Sequence, residues 1–283
     1  MLKVIVGVLI ASVLAFFAYS HSTTRVLQQG ITIFQDGLLQ PTKLSVAVIS
    51  DLHLSEKESD FELLASLVTE VLNSETDLVL LLGDYTVRHK ELTDPAAHRQ
   101  RVSQALRPLQ ALPISIVLGN YENWDNQDAW TQALMTAGFN VAENEVARVP
   151  TNSSHLCVRR LGDTYTGQFR RTDFPDSCRH FPQITITHDP AAAFKAGIDG
   201  LIFAGHTHCG QISIPFLGPL WAPTEAPRDA WCGLYQDELR TLWVSSGIGT
   251  SVLPIRLGAP SQWDLIEVSF ETTEGDQSSF RIW

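Results

Sequence analysis

The sequence predicts an α/β fold in which buried strands alternate with amphipathic helices. Short, unbroken apolar runs recur along the chain, and each is too short for a helix and typical of a strand covered on both faces. Between these runs, apolar residues recur at helical spacing. With 283 residues, 44% of them hydrophobic, the chain is long enough to bury a large core. This alternation predicts a parallel or mixed sheet with helices outside it.

Seven strands and three helices are predicted. The strands are expected at 46–50, 78–82, 114–118, 184–187, 201–204, 242–245 and 265–270. The first helix is expected to begin near Ser59, which stands three residues before Glu62 as in a capping box and precedes apolar residues at helical spacing. The other two helices are expected at 99–112 and 128–136.

The first 24 residues include the most apolar part of the chain. Residues 4–19 carry no charged side chain, and the uncharged stretch is close to the ~20 residues that span a bilayer. Residues 1–24 therefore predict a transmembrane signal anchor, with a cleaved signal peptide or a buried core helix as alternatives. A linker is expected at 25–44. Few charges flank the segment, so its orientation stays open.

Five predicted strands are followed at once by a polar cluster. The clusters are Ser50-Asp51-Leu52-His53, Gly83-Asp84, Gly119-Asn120, Thr187-His188 and Gly205-His206-Thr207-His208. In α/β folds, ligands bind beyond the carboxyl ends of the strands. The two carboxylates, one amide and four imidazoles are metal-ligand types, and together they exceed the usual need of one ion. The sequence therefore predicts a site for two divalent ions, although any one of these residues alone would be read as a satisfied polar group.

The clusters resemble, in order, the signature of the calcineurin-like metallophosphoesterases. That signature is D-x-H, G-D, G-N-H-[DE], a lone His and G-H-x-H. Here it reads Asp51-Leu52-His53, Gly83-Asp84, Gly119-Asn120-Tyr121-Glu122, His188 and Gly205-His206-Thr207-His208. The apolar N terminus and the run 205–211 look like the bacterial membrane-associated phosphodiesterase branch, with Cys209 in place of a glycine. The resemblance implies a four-layer αββα sandwich of two mixed sheets, with the catalytic domain at 45–283.

The resemblance also assigns roles to the ligands. One ion would be held by Asp51, His53 and His208 and the other by Asn120, His188 and His206, with Asp84 bridging them. Manganese is the favoured metal, and iron, zinc or magnesium also suit the ligands. A hydroxide between the ions would attack a phosphodiester or pyrophosphate bond. The alternative is a catalytically weak or inactive metal-binding module of the same fold.

Tyr121 stands where the family has a His that acts as the catalytic acid. A Tyr hydroxyl has an ordinary pKa near 10 rather than ~6.5, so it is a weaker proton donor at neutral pH. The expected consequences are a leaving group that needs little protonation, a slower enzyme, or protonation by another residue. The first would suit a nucleotide-diphosphate sugar lipid, which a related branch hydrolyses. Glu122 is expected to orient Tyr121 or a water.

Five arginines lie between positions 159 and 179. They are Arg159, Arg160, Arg170, Arg171 and Arg179. This segment is either a solvated loop or a clamp for phosphate or anionic headgroups, with Arg170 and Arg171 as candidate substrate contacts. The four cysteines allow three disulfide connectivities or buried free thiols, and Cys157 and Cys178 flank the arginine-rich segment.

The charge balance restricts the partners. The chain has 20 Lys and Arg against 31 Asp and Glu, a net charge of -11, so nucleic-acid binding is not expected. The expected partners are a phosphoester substrate, lipid-linked or not, and the membrane through the N-terminal segment. The expected location is the bacterial inner membrane as a single-pass protein, with the periplasmic side favoured for the catalytic domain. The exact substrate and the oligomeric state stay open.

Overall fold

The computed structural model describes residues 25–151, 155–214 and 216–273. The predicted membrane segment at 1–24 lies outside these ranges. Within them, no helix is both long enough and apolar enough to cross a membrane.

The described part of the chain alternates strands with helices, as an α/β protein does. The strands are β1 (Arg25–Gln35), β2 (Thr42–Ile49), β3 (Leu78–Leu81), β4 (Ile114–Ile116), β5 (Glu145–Pro150), β6 (His155–Arg160), β7 (Gln183–Ile186), β8 (Gly200–Ala204), β9 (Ser213–Ile214), β10 (Gly218–Pro219), β11 (Gly233–Gln236), β12 (Arg240–Val244) and β13 (Gln262–Thr272). The α-helices are α1 (Glu58–Asn73), α2 (Pro95–Leu106) and α3 (Asn120–Thr136). Short 3-10 helices lie at His89–Glu91, Arg107–Ala111, Asp176–Cys178, Pro190–Phe194, His208–Gly210 and Arg228–Ala230.

Two mixed sheets form the centre of the molecule. The first has the strand order β1-β13-β2-β3-β4, and the second has the order β11-β12-β8-β7-β6-β5. Strands β2, β3 and β4 are parallel to one another, as are β6, β7, β8 and β12. The carboxyl ends of parallel strands meet at one edge of a sheet, so each sheet gathers the loops after its own parallel strands.

The central strands are buried on both faces. Val46 and Val48 of β2 pack between the two sheets, where Ile184 of β7 also lies. Ala47 and Ile49, which alternate with them, face the core beneath the helices. Because successive side chains of a strand point to opposite faces, both sets must be apolar, and this accounts for the unbroken apolar runs in the sequence.

The helical layers differ from the expected αββα arrangement. All three α-helices cover the outer face of the first sheet. The outer face of the second sheet is covered instead by the 3-10 helix Pro190–Phe194 and by loop residues such as Leu161 and Ile198. The connection from β7 to β8 spans only 187–199 and also carries a site histidine, which leaves no room for a long crossover helix. The two packed mixed sheets are as predicted, whereas the second helical layer is not.

The segment predicted as a linker contains a strand. Residues 25–35 form β1, which runs parallel to β13 from the pair Arg25 and Gln262 to the pair Gln35 and Thr272. Ile31 is the one fully buried residue of β1, so this edge strand lacks the apolar run that identifies the central strands. The linker prediction for 25–44 is therefore corrected to a strand, a turn and the beginning of β2.

The first helix begins where expected but without the predicted cap, and the third helix begins earlier than predicted. Helix α1 begins at Glu58 with no side-chain cap at Lys57, and the Asp60 carboxylate instead accepts hydrogen bonds from the Ser55 backbone and hydroxyl. Helix α3 begins at Asn120, earlier than predicted, because a non-helical residue at Asn126 interrupts its periodicity. The second predicted helix is α2 continued by the 3-10 helix Arg107–Ala111.

All four cysteines are paired. The disulfides are Cys157–Cys178 and Cys209–Cys232, so the free-thiol alternative is wrong. The first ties β6 to the end of the arginine-rich segment. The second ties the 3-10 helix His208–Gly210 to the chain beyond Arg228–Ala230.

Candidate metal centre

The seven predicted metal ligands lie together where the parallel strands end. Asp51 and His53 follow β2, Asp84 follows β3, Asn120 follows β4, His188 follows β7, and His206 and His208 follow β8. All seven side chains are buried. The structure thus brings the five strand-end clusters together at one site.

Asp51, His53 and His208 form the first cluster, whose ligand atoms lie within 4.8 Å of one another. Nε2 of His53 is 3.0 Å from Nε2 of His208. Nε2 of His208 is in turn 3.3 Å from Oδ1 of Asp51. Two imidazole nitrogens and a carboxylate oxygen that converge on one point suit a divalent transition-metal ion.

Asp84, His188 and His206 form the second cluster. Nε2 of His188 is 3.3 Å from Oδ2 of Asp84, 3.2 Å from Nδ1 of His206 and 3.1 Å from Oδ1 of Asn120. Oδ2 of Asp84 is also 3.5 Å from Nε2 of His53 in the first cluster. This single oxygen therefore lies between the two clusters, as a bridging ligand must.

Asp51 shows that the residues fit a metal ion. Its Oδ2 accepts hydrogen bonds from the Ser50 hydroxyl at 2.5 Å and the His206 backbone N–H at 3.0 Å. Its Oδ1 is buried and has no hydrogen-bond partner within the described part of the chain. A buried carboxylate oxygen is costly unless a donor or cation satisfies it. Oδ1 faces His53 and His208, so a cation bound by this cluster would satisfy it.

Three of the four imidazoles have one ring nitrogen against a backbone carbonyl. The contacts are His53 Nδ1 to Thr86 O at 3.2 Å, His188 Nδ1 to Leu82 O at 2.7 Å and His206 Nε2 to Pro223 O at 2.8 Å. A carbonyl only accepts, so the nitrogen beside it carries the proton. The opposite nitrogen, which faces the clusters, is then free to bind a metal.

His208 is held differently, by the buried side chain of Arg256. Nη2 of Arg256 donates to Nδ1 of His208 at 2.9 Å, and the same guanidinium donates to Ser246 and Gly249. Burial, followed by the charges of His53 and Arg256, holds the pKa of His208 well below its ordinary value. The ring is therefore neutral at neutral pH; because its Nδ1 accepts from Arg256, its proton lies on Nε2, where a bound metal ion would displace it.

Asp84 and His188 each stabilise the charged form of the other. Burial raises the pKa of Asp84, but the charge and hydrogen bond of His188, with smaller effects of His53 and His206, lower it to about 2. Burial lowers the pKa of His188, but the charge and hydrogen bond of Asp84 raise it well above its ordinary value. The carboxylate at the junction of the clusters is thus ionised across the physiological range.

Five of the ligands have left-handed backbone conformations. The φ angles are 54° at Asp51, 46° at His53, 55° at Asp84, 68° at His206 and 52° at His208. Such angles are uncommon for residues other than glycine, and they cluster at functional sites, where the surrounding structure imposes them. The adjoining glycines are needed for space, since a Cβ at Gly205 would lie 1.9 Å from the Ser50 hydroxyl and one at Gly119 would lie 2.3 Å from Oδ1 of Asp84.

Glu122 holds the loops that carry the ligands. Its two oxygens accept hydrogen bonds from the backbone N–H groups of Asp84, Tyr85, Thr86 and Gly119. Burial and the nearby charge of Asp84 raise the pKa of Glu122 to about 8, while the N–H donors oppose that rise. These contacts give Glu122 a positioning role between the loops after β3 and β4, in place of the expected role of orienting Tyr121 or a water.

Tyr121 lies directly beside the first cluster. Its ring packs edge-on against His53 with the centroids 4.5 Å apart, and its backbone N–H donates to Oδ1 of Asp84 at 2.9 Å. Its hydroxyl is 2.8 Å from the Ser251 hydroxyl. Tyr121 also lines the two cavities described next.

Two cavities of about 450 and 460 Å³ flank Tyr121. The second opens onto both clusters, because Asp84, Asn120, His206 and His208 line it. Arg88 lines both cavities. Arg88 was not predicted as a site residue, although it lies four residues after Asp84. Arg256 and Ser251 were not predicted either, because no sequence motif identifies them.

The arginines of the predicted phosphate clamp are not among the residues that line the two cavities. Arg159 is buried in β6, where Nε donates to the Thr185 hydroxyl at 2.9 Å. Arg160 is also buried and pairs with Glu145. Both arginines therefore stabilise the second sheet. Arg170 and Arg171 are exposed; Arg170 donates to the backbone of its own loop and Arg171 pairs with Asp173, and neither is among the residues that line the two cavities.

The fold and the site together define a metal-dependent phosphoester hydrolase. Two packed mixed sheets present, at one edge, two ligand clusters that share a carboxylate. The chain belongs to the calcineurin-like phosphoesterase family, whose family model matches residues 44–210. Calcineurin-like phosphoesterases bind a dinuclear metal site, and the two clusters correspond to such a site.

The chain is similar to several curated proteins. The metallophosphoesterase YkuE of Bacillus subtilis is 31% identical over 219 residues, which cover 75% of this chain and 74% of YkuE. The phosphodiesterase YaeI of Escherichia coli is 24% identical over 262 residues, which cover 89% of this chain and 92% of YaeI. A transmembrane protein with a metallophosphoesterase domain from Bos taurus is 27% identical, over 77% of this chain and 51% of the bovine protein.

Proposed function

We propose that this protein is a dinuclear metal-dependent hydrolase that cleaves a phosphodiester or pyrophosphate bond in a membrane lipid or envelope precursor. The observation that carries the proposal is the position of Asp84, whose Oδ2 lies between two buried ligand clusters. The unpartnered Oδ1 of Asp51 supports it. The name of the YaeI phosphodiesterase supports the reaction class.

The ligands divide as their positions suggest. Asp51, His53 and His208 would hold one ion, Asn120, His188 and His206 the other, and Asp84 both. Manganese is the proposed metal, and iron, zinc or magnesium also suit these ligands. When bound, two dications supply hydroxide near neutral pH and neutralise charge on the phosphate. The chain itself contributes a neutral His208, an ionised Asp84 and a cavity beside the clusters.

Tyr121 and Arg88 are the proposed substrate contacts. The Tyr121 hydroxyl would donate a hydrogen bond to the phosphate or to the leaving group, and its weak acidity favours leaving groups that need little protonation, such as a phosphate. Arg88 would bind a non-bridging phosphate oxygen from the cavity wall. Arg170 and Arg171 remain proposed contacts for an anionic headgroup outside the cavities.

The substitutions Arg88→Ala and Arg170→Ala/Arg171→Ala separate these arginines. Arg88→Ala is expected to raise KM for both a small diester and a lipid phosphodiester, because it acts at the phosphate. The double variant is expected to raise KM for the lipid substrate alone. Equal effects of the double variant on both substrates would count against the headgroup contact.

We also propose that the protein is a single-pass inner-membrane protein whose catalytic domain lies on the periplasmic side. The two disulfides support an oxidising compartment, since disulfides are rare in the cytosol. The apolar segment at 4–19 would be the anchor.

Metal content and turnover test the proposed hydrolase together. The full chain, purified in detergent, is expected to bind two equivalents of manganese and to hydrolyse bis-p-nitrophenyl phosphate only when metal is present. Asp84→Asn keeps the size of the side chain but removes the shared charge, and it is expected to lower turnover by a factor of about 100 or more. The control His155→Asn changes an exposed imidazole outside the site.

Two results would contradict the proposal. A wild-type chain that binds no metal would exclude the dinuclear site. Metal binding without turnover on phosphodiesters and pyrophosphates would support the catalytically inactive binding module instead.

A further inference from the structure

The surface around the metal centre is unusually apolar. Six exposed or partly exposed side chains form what we call the apolar rim: Trp124, Tyr165, Leu220, Trp221, Val252 and Leu253. All six line the cavity that opens onto the clusters. A contiguous exposed apolar surface of this kind marks an interaction site, because water-facing surfaces of monomers seldom carry one.

A short hairpin extends the apolar rim outward. Strands β9 and β10 pair antiparallel, and the chain between them carries Phe216 and Leu217. Phe216 is fully exposed and Leu217 is 64% exposed. The guanidinium of Arg228 donates to the backbone carbonyls of Leu217 and Pro219, both at 2.9 Å. Arg228 therefore fixes the backbone of the hairpin, while the side chains of Phe216 and Leu217 are exposed to solvent.

The N-terminal segment joins the domain at this same edge. Arg25, the first described residue, pairs with Gln262 at the start of β13, and its backbone N–H donates to Ser261 at 2.9 Å. The backbone N–H of Gln262 donates to the Gly247 carbonyl. Gly247 in turn lies against Asp51, since a Cβ at Gly247 would lie 2.7 Å from the Cβ of Asp51. The start of β1 therefore lies at the edge that carries the metal centre, and the apolar run at 4–19 precedes it in the sequence.

We propose that the apolar rim and the hairpin dock on the surface of a lipid bilayer, so that the metal centre faces the membrane to which the N-terminal segment is anchored. Both features lie at one edge of the sheets, and an anchor at that edge brings the rim to the headgroup and acyl boundary. A lipid substrate then reaches the clusters without leaving the bilayer. The lipid character of the substrate and the N-terminal anchor rest on the proposed function, whereas contact of the rim and hairpin with a bilayer rests on their exposed apolar side chains.

Apolar contact, rather than charge, is expected to hold the rim at the bilayer. The chain has a net charge of -11, so anionic lipids do not attract it as a whole. Aromatic and aliphatic side chains such as Trp221, Phe216 and Leu217 are the types that enter the interfacial region. Contact with zwitterionic vesicles is therefore expected to persist at high salt.

Photo-crosslinking of the full chain in phosphatidylcholine vesicles tests the docking. A benzophenone amino acid would replace Leu217 in the hairpin or Val252 in the apolar rim, together the rim positions, or Leu39 or Leu239 as controls of similar exposure. Leu39 lies between the end of β1 and the start of β2, and Leu239 precedes β12, so both controls lie at the opposite edge. After irradiation, the rim positions are expected to form lipid adducts at a yield at least about five times that of the controls. Equal yields would overturn the proposal.

A kinetic comparison separates this inference from the proposed function. Phe216→Ser/Leu217→Ser changes the hairpin without altering a cavity residue, and Leu39→Ser/Leu239→Ser is the matched control. The hairpin variant is expected to lose about tenfold in kcat/KM on a phosphodiester lipid in vesicles and to keep its activity on bis-p-nitrophenyl phosphate. Unchanged activity on the vesicle lipid would count against docking and leave the hydrolase intact. Rim adducts without turnover on either substrate would leave docking intact and overturn the proposed function.

Discussion

His208 combines a metal-ligand position with an arginine neighbour. Its Nε2 faces Asp51 and His53, while its Nδ1 accepts from the buried Arg256. The arginine fixes the ring through one nitrogen and disfavours its protonation through charge. The consequence is a ligand that stays neutral even where a free histidine would begin to take up a proton.

The lowered pKa of His208 predicts a pH dependence of the metal-free protein. The unfolded chain takes up a proton at His208 as the pH falls below about 6.5, whereas the folded chain does not, so folding stability is lost toward acid. The loss from this residue is expected to approach about 1.4 kcal/mol per pH unit below about pH 6.5, until the folded chain takes up the same proton. Urea unfolding of the chelator-treated wild type and of His208→Gln would measure it, and parallel pH profiles of the two proteins would contradict it.

The proposed role of Tyr121 predicts which leaving groups the site accepts. Tyr121→His places an imidazole with an ordinary pKa of ~6.5 beside His53, and this group is expected to raise turnover of esters with poor alkoxide leaving groups. Activated aryl esters are expected to change little, because they need no protonation. Tyr121→Phe is the control, since it removes the hydroxyl and supplies no acid. A uniform loss on all substrates in Tyr121→His would refute this role.

At the scale of elements, short loops and turns carry the site while the strands hold them in register. Glu122, at the start of α3, accepts N–H groups from the loop after β3 and from the residue before its own helix. The disulfide Cys209–Cys232 fixes the 3-10 helix His208–Gly210. The loop after β3 and the turn at His208 are thus each tied to a residue distant in sequence.

The disulfide next to His208 predicts a specific sensitivity. Cys209→Ser/Cys232→Ser is expected to lower the affinity of the first cluster for manganese by about tenfold, because the turn that aims His208 loses its tie. Cys157→Ser/Cys178→Ser removes the other disulfide, which lies in β6 and the arginine-rich segment, and it is expected to affect stability more than metal affinity. Metal titration of both variants measures the effect, and equal affinities would argue against it.

At the scale of the whole molecule, the metal centre joins the two sheets. Asp51, His53, Asp84 and Asn120 come from loops of the first sheet, whereas His188, His206 and His208 come from loops of the second. The apolar rim and the start of β1 lie at this same edge. One edge of the sandwich therefore gathers the chemistry, the entry of the N-terminal segment and the exposed apolar surface.

Metal removal is therefore expected to destabilise the whole fold rather than one loop. A ligand bound only by the folded state adds about 2.7 kcal/mol when its concentration is 100 times its dissociation constant. Chelation of the wild-type chain is expected to lower the midpoint of thermal unfolding, and manganese is expected to restore it. Asp84→Asn, which lacks the shared charge, is expected to show a much smaller shift; an equal shift in both proteins would contradict the bridging role.

A strand or helix could be predicted only where a local pattern of apolar residues in the sequence identifies it. Strands β2, β3, β7 and β8 were predicted because strands buried on both faces must be apolar throughout. Strand β1 was missed, because an edge strand with one buried residue has no such pattern. The second helical layer was expected from the family resemblance alone, and the short connection at 187–199 replaces it with a 3-10 helix.

The sequence by itself determined the ligand chemistry and its place at strand ends. The apolar runs before Asp51, Asp84 and His188 predict buried strands, and the carboxyl ends of such strands converge at one edge of a sheet. Only the tertiary structure decided the rest: the pairing of the cysteines, the partnership of Arg256 with His208, the position of Glu122 between the loops and the position of Arg25 at the edge that carries the site. These depend on contacts between residues far apart in the chain. Packing of the two sheets creates such contacts, and no local pattern encodes them.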